Sequence, residues 1–334
     1  MFDGPGRSRP VLTINRHHAS EEPELLGFVL KRAGEAILTA FLVFSFVFFA
    51  MRLLPGDPVV AMLGDRAGAE AIENARRALG LDQPLIVQYG QFLWGLLHLD
   101  LGHSLVNKVD VGATMARHLP YTIMLTIAST LIGIIVGLPP GVWGALKPGG
   151  GADHSSRLVS LFGSALPDFY VGLVLLVIFG LRLHWFPLLG GGKTPFDLRY
   201  LALPAITLGV LKGFGLIRFT RTAVLDASGR DFVRTARSLG LSERTVVWKH
   251  IFRNAMIPIT TQISLSIIAT LGGTIAIELV FNRPGVGQLL VGAITSRDYT
   301  LIQGGLVILS VLVVAVNLAT DLLYVVFDPR VRTN

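Results

Sequence analysis

Cysteine is absent from all 334 residues. That excludes disulfides, thiolate metal sites and a cysteine nucleophile. Charge is also scarce: Asp, Glu, Lys and Arg make up 15% of the chain, against roughly a quarter in soluble domains. Hydrophobic residues make up 51% and the mean hydropathy is +0.61. A chain so poor in charge could not cover this much apolar surface in water, which leaves a polytopic membrane protein. A nucleotide-binding loop is missing too. Residues 190–194 read GGGKT, but the first glycine of the pattern G-x-x-x-x-G-K-S/T would fall at Pro187. His17 and His18 are neighbours in a polar tail, and His103 and His118 have no partner at metal-ligand spacing. No Ser/His/Asp arrangement is present to argue for a hydrolase.

Six apolar runs are long enough to cross a bilayer, at residues 33–54, 119–146, 158–181, 201–217, 257–281 and 301–327. The fold expected is therefore all-α, with six transmembrane helices. Residues 1–27 form a polar tail that reads as disordered and cytoplasmic, and residues 28–334 form one membrane domain. Within it, 55–118 reads as an extracytoplasmic segment of short amphipathic helices, near 69–79 and 84–98.

Basic residues orient the chain. With both termini inside, seventeen Lys and Arg fall on the cytoplasmic side and eleven outside, with Lys212 within the fourth span. The surplus of basic over acidic residues, 29 against 22, is thus a topology signal, and nucleic acid is not an expected partner.

Eight of the inside cations lie between Arg218 and Arg253, and residues 218–256 form a cytoplasmic loop. Its centre, DFVRTARSLGLSERTVVWKH, reads as helix, turn, helix. Phe232, Ala236 and Leu239 give the first helix an apolar stripe. Gly240 suits the left-handed position that ends a helix, and the Ser242 hydroxyl suits the cap of the next. Val246, Val247 and Ile251 give the second stripe. One reading is an amphipathic hairpin held on anionic membrane lipid. The other is a docking element for a cytoplasmic protein, with Arg and Glu setting register at its rim.

Ionisable groups inside spans are costly and face protein or water. Asp168 in span three and Lys212 in span four lie at depths about 6 Å apart, counted at 1.5 Å per residue. They read either as a pair across a translocation cavity or as two separate water-facing groups. Glu278 at the end of span five reads as part of an outer gate or as a helix cap. Asn317 and Asp321, four apart, share one helix face, for packing first and a pathway second.

The ordered pieces LLPGDPV (53–59), HLPYT (118–122), LPDFYVGL (166–173), LPAITLG (203–209), ELVFNRPGVGQLL (278–290) and NLATDLLYVVFDPRVR (317–332) resemble the permease subunits of bacterial ABC importers. The likeness is to the oligopeptide, dipeptide and nickel branch, and spans nearly the whole chain from about residue 28 to 332. In that family the cytoplasmic loop carries the EAA motif, whose helix–turn–helix docks into the ATPase. Here Gly240 takes the motif's glycine, and Arg234, Thr235 and Ala236 its first three places. The acidic place is therefore arginine, and RTAR is similar to the peptide branch. The resemblance assigns ATPase coupling to Arg234, Thr235, Ala236, Arg237, Leu239, Gly240, Leu241, Ser242 and Glu243. The polar groups of the spans, Asp168, Lys212, Glu278, Asn317 and Asp321, are the candidates for the pathway or gate, and of these the resemblance includes Glu278.

It further implies a second, homologous permease subunit, two cytoplasmic ABC ATPases that bind ATP and Mg, and an extracytoplasmic solute-binding protein. This chain would hold no cofactor and be no enzyme, and would sit in a bacterial inner membrane. Peptides are the first expected solute, followed by nickel complexes and glutathione-like or sugar-derived compounds. The rival reading is a stand-alone secondary transporter or channel, for which inverted repeats would be the signature.

Overall fold

The computed structural model describes residues 21–53, 58–63, 67–78, 80–163 and 165–327. Helix α1 (Glu21–Leu53) is followed by three shorter helices, α2 (Pro58–Leu63), α3 (Ala69–Ala78) and α4 (Leu85–Leu97). The long α5 (Val111–Leu146) leads through α6 (Gly151–Gly163) to α7 (Asp168–Leu175), which continues as a π-helical stretch over Leu176–Arg182. After α8 (Leu198–Ser228) come α9 (Asp231–Ser238) and α10 (Glu243–Thr245), the latter running through a π-helical stretch, Val246–Phe252, into α11 (Arg253–Val280). Helices α12 (Val286–Thr295) and α13 (Tyr299–Phe327) complete the chain. Among the described residues the only β-type pairing is an isolated bridge between His103 and Asp110.

Of the expected polar tail, residues 1–20 lie outside the described residues, and from Glu21 the chain is already helical. The sequence Glu-Glu-Pro is favoured at a helix start, which explains why α1 begins before its apolar run. Residues 54–57, which hold all of the PGDP stretch but its last proline, and the C-terminal DPRVR also lie outside the described residues.

Among the described residues five helices are long and apolar enough to cross a membrane: Val29–Leu53, Val111–Leu146, Leu198–Ser228, Glu243–Val280 and Tyr299–Leu322. The remaining apolar run, 158–181, the third along the chain, is helical in two pieces. Pro167 has extended backbone (ψ 132°) and sits immediately before α7. Proline has no N–H to continue the helical ladder and pushes the residue before it out of helical conformation. Length and hydropathy alone read through that break.

The bundle is organised around α5 and α8, its most extensive helix pair. Gly133, Gly137 and Gly141 recur every fourth residue on α5, facing Gly209, Gly213, Leu216 and Thr220 on α8. In lipid, where apolar burial alone gives helices no reason to associate, small residues at this spacing let backbones approach and gain dispersion contacts. Helix α11 packs on the same pair, and α1 packs on α13 at the side, where Val47, Met51 and Val307 are buried. Helix α4 leans on α1 through Phe48 stacked on Phe92, with centroids 5.4 Å apart, and a Ser45–Tyr89 hydrogen bond of 2.6 Å.

Asp153 ties α6 to α8. Its buried carboxylate accepts from Arg221 at 2.5 and 3.1 Å, from Arg157 at 3.1 and 2.9 Å, and from the Gly149 N–H at 2.9 Å. The Arg221 and Gly149 hydrogen bonds hold this carboxyl well below the usual carboxylate range, outweighing the opposing effect of burial. A group whose folded pKa is depressed adds stability that is full above its unfolded value, about 3.9 for Asp. That stability is lost as pH falls through the lower, folded value. Asp153→Asn is expected to lower the thermal midpoint of the detergent-solubilised chain at pH 7 by about 5 °C or more, because two guanidiniums lose their partner. The gap between variant and parent should narrow only below about pH 4. A midpoint equal to the parent's at pH 7 would contradict the latch.

Candidate functional site

A cavity of about 670 Å³ opens between α5, α8 and α11 beside the break that precedes α7. Its size is in the range of small-molecule sites. The break places Asp168 at the first turn of α7, where a carboxylate is favoured by the positive end of the helix. Lys212 reaches in from α8, and its Nζ lies 3.4 Å from Asp168 Oδ2. Both side chains are about a third exposed, 31% for Lys212 and 27% for Asp168, and that exposure is to the cavity they line. Ser129, Thr130, Gln262, Ser266 and Thr270 add polar groups to an otherwise apolar wall. Exposed Arg218 stands at the mouth, toward the end of the bundle that carries α9 and α10.

The opposite end is closed by a clasp. Glu278, at the end of α11, is fully buried. Its carboxylate accepts from Thr122 Oγ1 of α5 at 2.7 Å and from the Gln288 N–H of α12 at 3.0 Å. The Val286 N–H in turn donates to Thr122 Oγ1 at 2.9 Å. One carboxylate thus satisfies N–H groups at the start of α12 and holds three helices together. The chain passes Glu278 so closely at Gly285 and Gly287 that a Cβ at either would collide with its carboxylate. Arg283 is also buried, beneath the Tyr121 ring (5.2 Å), and donates to Pro195 O at 2.9 Å. The GGGKT loop is packed into this end as well. Its Gly191 passes close enough to Pro284 and Tyr121 that a Cβ would lie 2.5 and 2.8 Å from them. That packing gives each backbone a structural neighbour, not a phosphate.

At the other end, α9 and α10 form a compact hairpin. Gly240 adopts φ +76°, the left-handed conformation. The Gly240 N–H donates to Arg237 O (3.0 Å) and the Leu241 N–H to Ala236 O (3.3 Å), the two bonds of a Schellman ending. Ser242 Oγ then accepts from the Thr245 N–H at 3.4 Å, capping α10. Arg237 closes the turn with a two-point ion pair to Glu243 (2.8 and 3.3 Å), which raises its guanidinium pKa further above the ordinary value.

The buried face of the hairpin differs from the expected stripe at two residues, Val233, which it adds, and Leu239, which it leaves out. Val233 and Ala236 are buried and Phe232 packs beside them, whereas Leu239 is 74% exposed. Leu239 sits at the helix end, where the turn of the chain carries it away from the face set by the residues before it. In the second limb Val246 and Ile251 are both buried. Five residues apart, they share a face because the helix is π-wound there. These residues rest on Val142, Ala145, Ala223 and Val224 at the ends of α5 and α8. Leu239, Leu241 and Trp248 stay exposed, beside Arg244, Thr245 and Lys249, which with Trp248 line a shallow depression.

The remaining sequence candidates lie elsewhere. Asp321 forms an ion pair with Arg32 of α1 at 3.5 Å, and Asn317 is exposed one turn earlier on α13. Neither lines the cavity. Asp153 and Thr122 escaped the sequence reading. Their partners Arg221 and Glu278 lie 68 and 156 residues away, and no local pattern announces them. No cluster of His, Asp or Glu suited to a metal ion occurs among the described residues.

Comparison with known proteins fits this arrangement. The model of the binding-protein-dependent transport system inner membrane component matches residues 129–333, and the model of its N-terminal part matches residues 25–126. A protein named as a peptide transport system permease in Brucella abortus is 39% identical over 314 residues, covering 92% of this chain and 99% of that protein. The glutathione transport system permease protein GsiC of Escherichia coli is 37% identical over 308 residues, with the same coverage. Among solved structures, a chain of the MetNI methionine ABC transporter in an inward-facing conformation shares the fold, with a TM-score of 0.52 and 18% identity. The match covers 64% of this chain and 96% of that one. With both family models matched end to end, the chain belongs to the binding-protein-dependent transport system inner membrane components and is a permease subunit of an ABC importer.

Proposed function

We propose that this permease admits peptide-like solutes, a class that includes glutathione, through the cavity beside Asp168 and Lys212. On this reading the α9–α10 hairpin is cytoplasmic and seats in a groove of an ATPase subunit. The observation that carries it is the hairpin's two-sidedness. Its inner face is anchored on α5 and α8 by Val233, Ala236, Val246 and Ile251, while Leu239, Leu241 and Trp248 are turned outward. Apolar side chains held outward on a rigid turn, with a basic rim, are what a helix-in-groove contact needs. Because that face is bound to the pore helices, a push on the hairpin reaches α5 and α8 directly.

A second permease would complete the cavity, two ATPases would bind ATP and Mg beneath it, and a solute-binding protein would dock on the outer side, which includes residues 55–118. Both termini would be cytoplasmic. The Glu278 clasp would then hold the outer end shut while Arg218 faces the cytoplasmic mouth, so that ATP-driven approach of the two hairpins rocks the helices the other way. Asp321 and Asn317 belong to packing on this reading.

Capture of the tagged chain from its native membranes under gentle conditions, with mass spectrometry of what stays bound, tests the assembly. A second permease and one or two ATPases are expected. A chain captured alone, with uptake driven by an ion gradient, would instead favour the secondary transporter.

A further inference from the structure

The Asp168–Lys212 pair sits awkwardly for a purely structural ion pair. It makes a single contact of 3.4 Å, longer than the 2.7–2.9 Å of a good charge-assisted bond. Neither side chain has another hydrogen bond or ion pair among the described residues. Both charges are open to the cavity, and the side chains of Thr130 and Gln262 across from them have no hydrogen-bond partner there among the described residues either. Asp153 provides the contrast within the same chain: a carboxylate that anchors helices accepts five hydrogen bonds and is wholly buried.

We propose that Asp168 and Lys212 are the solute-contacting pair of the cavity. Asp168 would take the ammonium group, and Lys212 the carboxylate, of a zwitterionic solute. This rests on the importer reading above and deepens it by naming the groups that are recognised. Inside a membrane protein, separating an ion pair leaves two charges that need new partners. A solute carrying one ammonium and one carboxylate supplies both at once. A solute with only a carboxylate leaves Asp168 uncompensated, and one with only an ammonium leaves Lys212 so. When the solute leaves, the two side chains meet again at 3.4 Å, so the empty cavity is not left with unpaired charge. The internal pair therefore competes with the solute, which keeps affinity low and favours release. Arg218, exposed at the mouth, is hydrated and contributes less to this selection.

The test uses the permease assembly as it co-purifies, in lipid nanodiscs and without any solute-binding protein, so that only the cavity selects. Saturation-transfer difference NMR is recorded with millimolar dialanine, N-acetyl-dialanine and dialanine amide. Dialanine is expected to give a signal at least about tenfold above either capped form. Asp168→Asn with Lys212→Gln should abolish the difference, and Lys212→Arg should keep it. The thermal midpoint of each variant separates a lost site from a lost fold. Equal signals from all three probes, no signal from dialanine, or an unchanged preference in a folded neutral double variant would each overturn the proposal. An ATPase that co-purifies in the same preparation would leave the importer reading standing in every one of those cases.

Discussion

Replacing Gly209 by valine is expected to leave almost no correctly folded chain in the membrane, a fall of tenfold or more in monodisperse protein after solubilisation. A Cβ at this position would lie 2.6 Å from both Ile132 Cβ and Ser129 O. Neither atom can turn away, because the Ile132 Cβ is fixed by its own backbone and the Ser129 carbonyl belongs to the α5 backbone. Gly137 is constrained in the same way from the other side, with Leu216 Cβ at 2.7 Å and Gly213 O at 2.9 Å from a Cβ there. Either substitution must push α5 away from α8. Overpacking in a close-packed interior costs about 1–3 kcal/mol even where side chains can adjust, and here a whole helix pair must part. The hairpin base and the cavity wall are both built on this pair, so both are lost with it. Gly272→Ala on α11 is the control, because a Cβ there meets nothing within 4 Å. It is expected to be neutral or slightly stabilising, since alanine is the better helix former by about 1 kcal/mol. Wild-type yield for Gly209→Val would show that the helices have room to separate.

What could be read in advance depended on how local the cause was. The hairpin turn was legible because its causes lie within a few residues: a glycine that accepts φ +76° and a serine that caps the next helix. The helical period carried the inner face as far as Ala236 and failed at Leu239, where the helix had already ended. The Asp168–Lys212 contact could be anticipated because ionisable residues in apolar runs are rare and their depths can be counted. The break in the third apolar run needed more weight on Pro167 than a hydropathy window gives it. The glycine seam was harder, since the chain holds 37 glycines and only those at 133, 137, 141, 209 and 213 face each other across α5 and α8. Asp153 and the Glu278 clasp depend on partners far along the chain and could be seen only once the helices were assembled.

Gly240→Pro is expected to cut ATP-driven transport at least about a hundredfold, by two separate routes, while the chain still inserts. Proline fixes φ near −65°, whereas this turn runs through φ +76°. Proline also removes the N–H that donates to Arg237 O. The turn must then rebuild, and the Arg237–Glu243 pair that spans it must separate. The membrane helices keep their own contacts, because the turn lies beyond the face that rests on Val142, Ala145 and Ala223. Hydrolysis by a bound ATPase would continue or rise, no longer linked to solute movement. Leu239→Asp separates docking from hairpin integrity. Its side chain is 74% exposed and belongs to none of the hydrophobic clusters among the described residues, so the thermal midpoint of the isolated permease should stay within about 2 °C of the parent, as for most exposed positions. A carboxylate placed in an apolar groove would have to be desolvated without a partner, so capture of the ATPase should fall tenfold or more. If Leu239→Asp binds ATPase and transports like the parent, the outward apolar face is not the contact. The hairpin would then be a basic lid resting on lipid, and coupling would have to run through another surface.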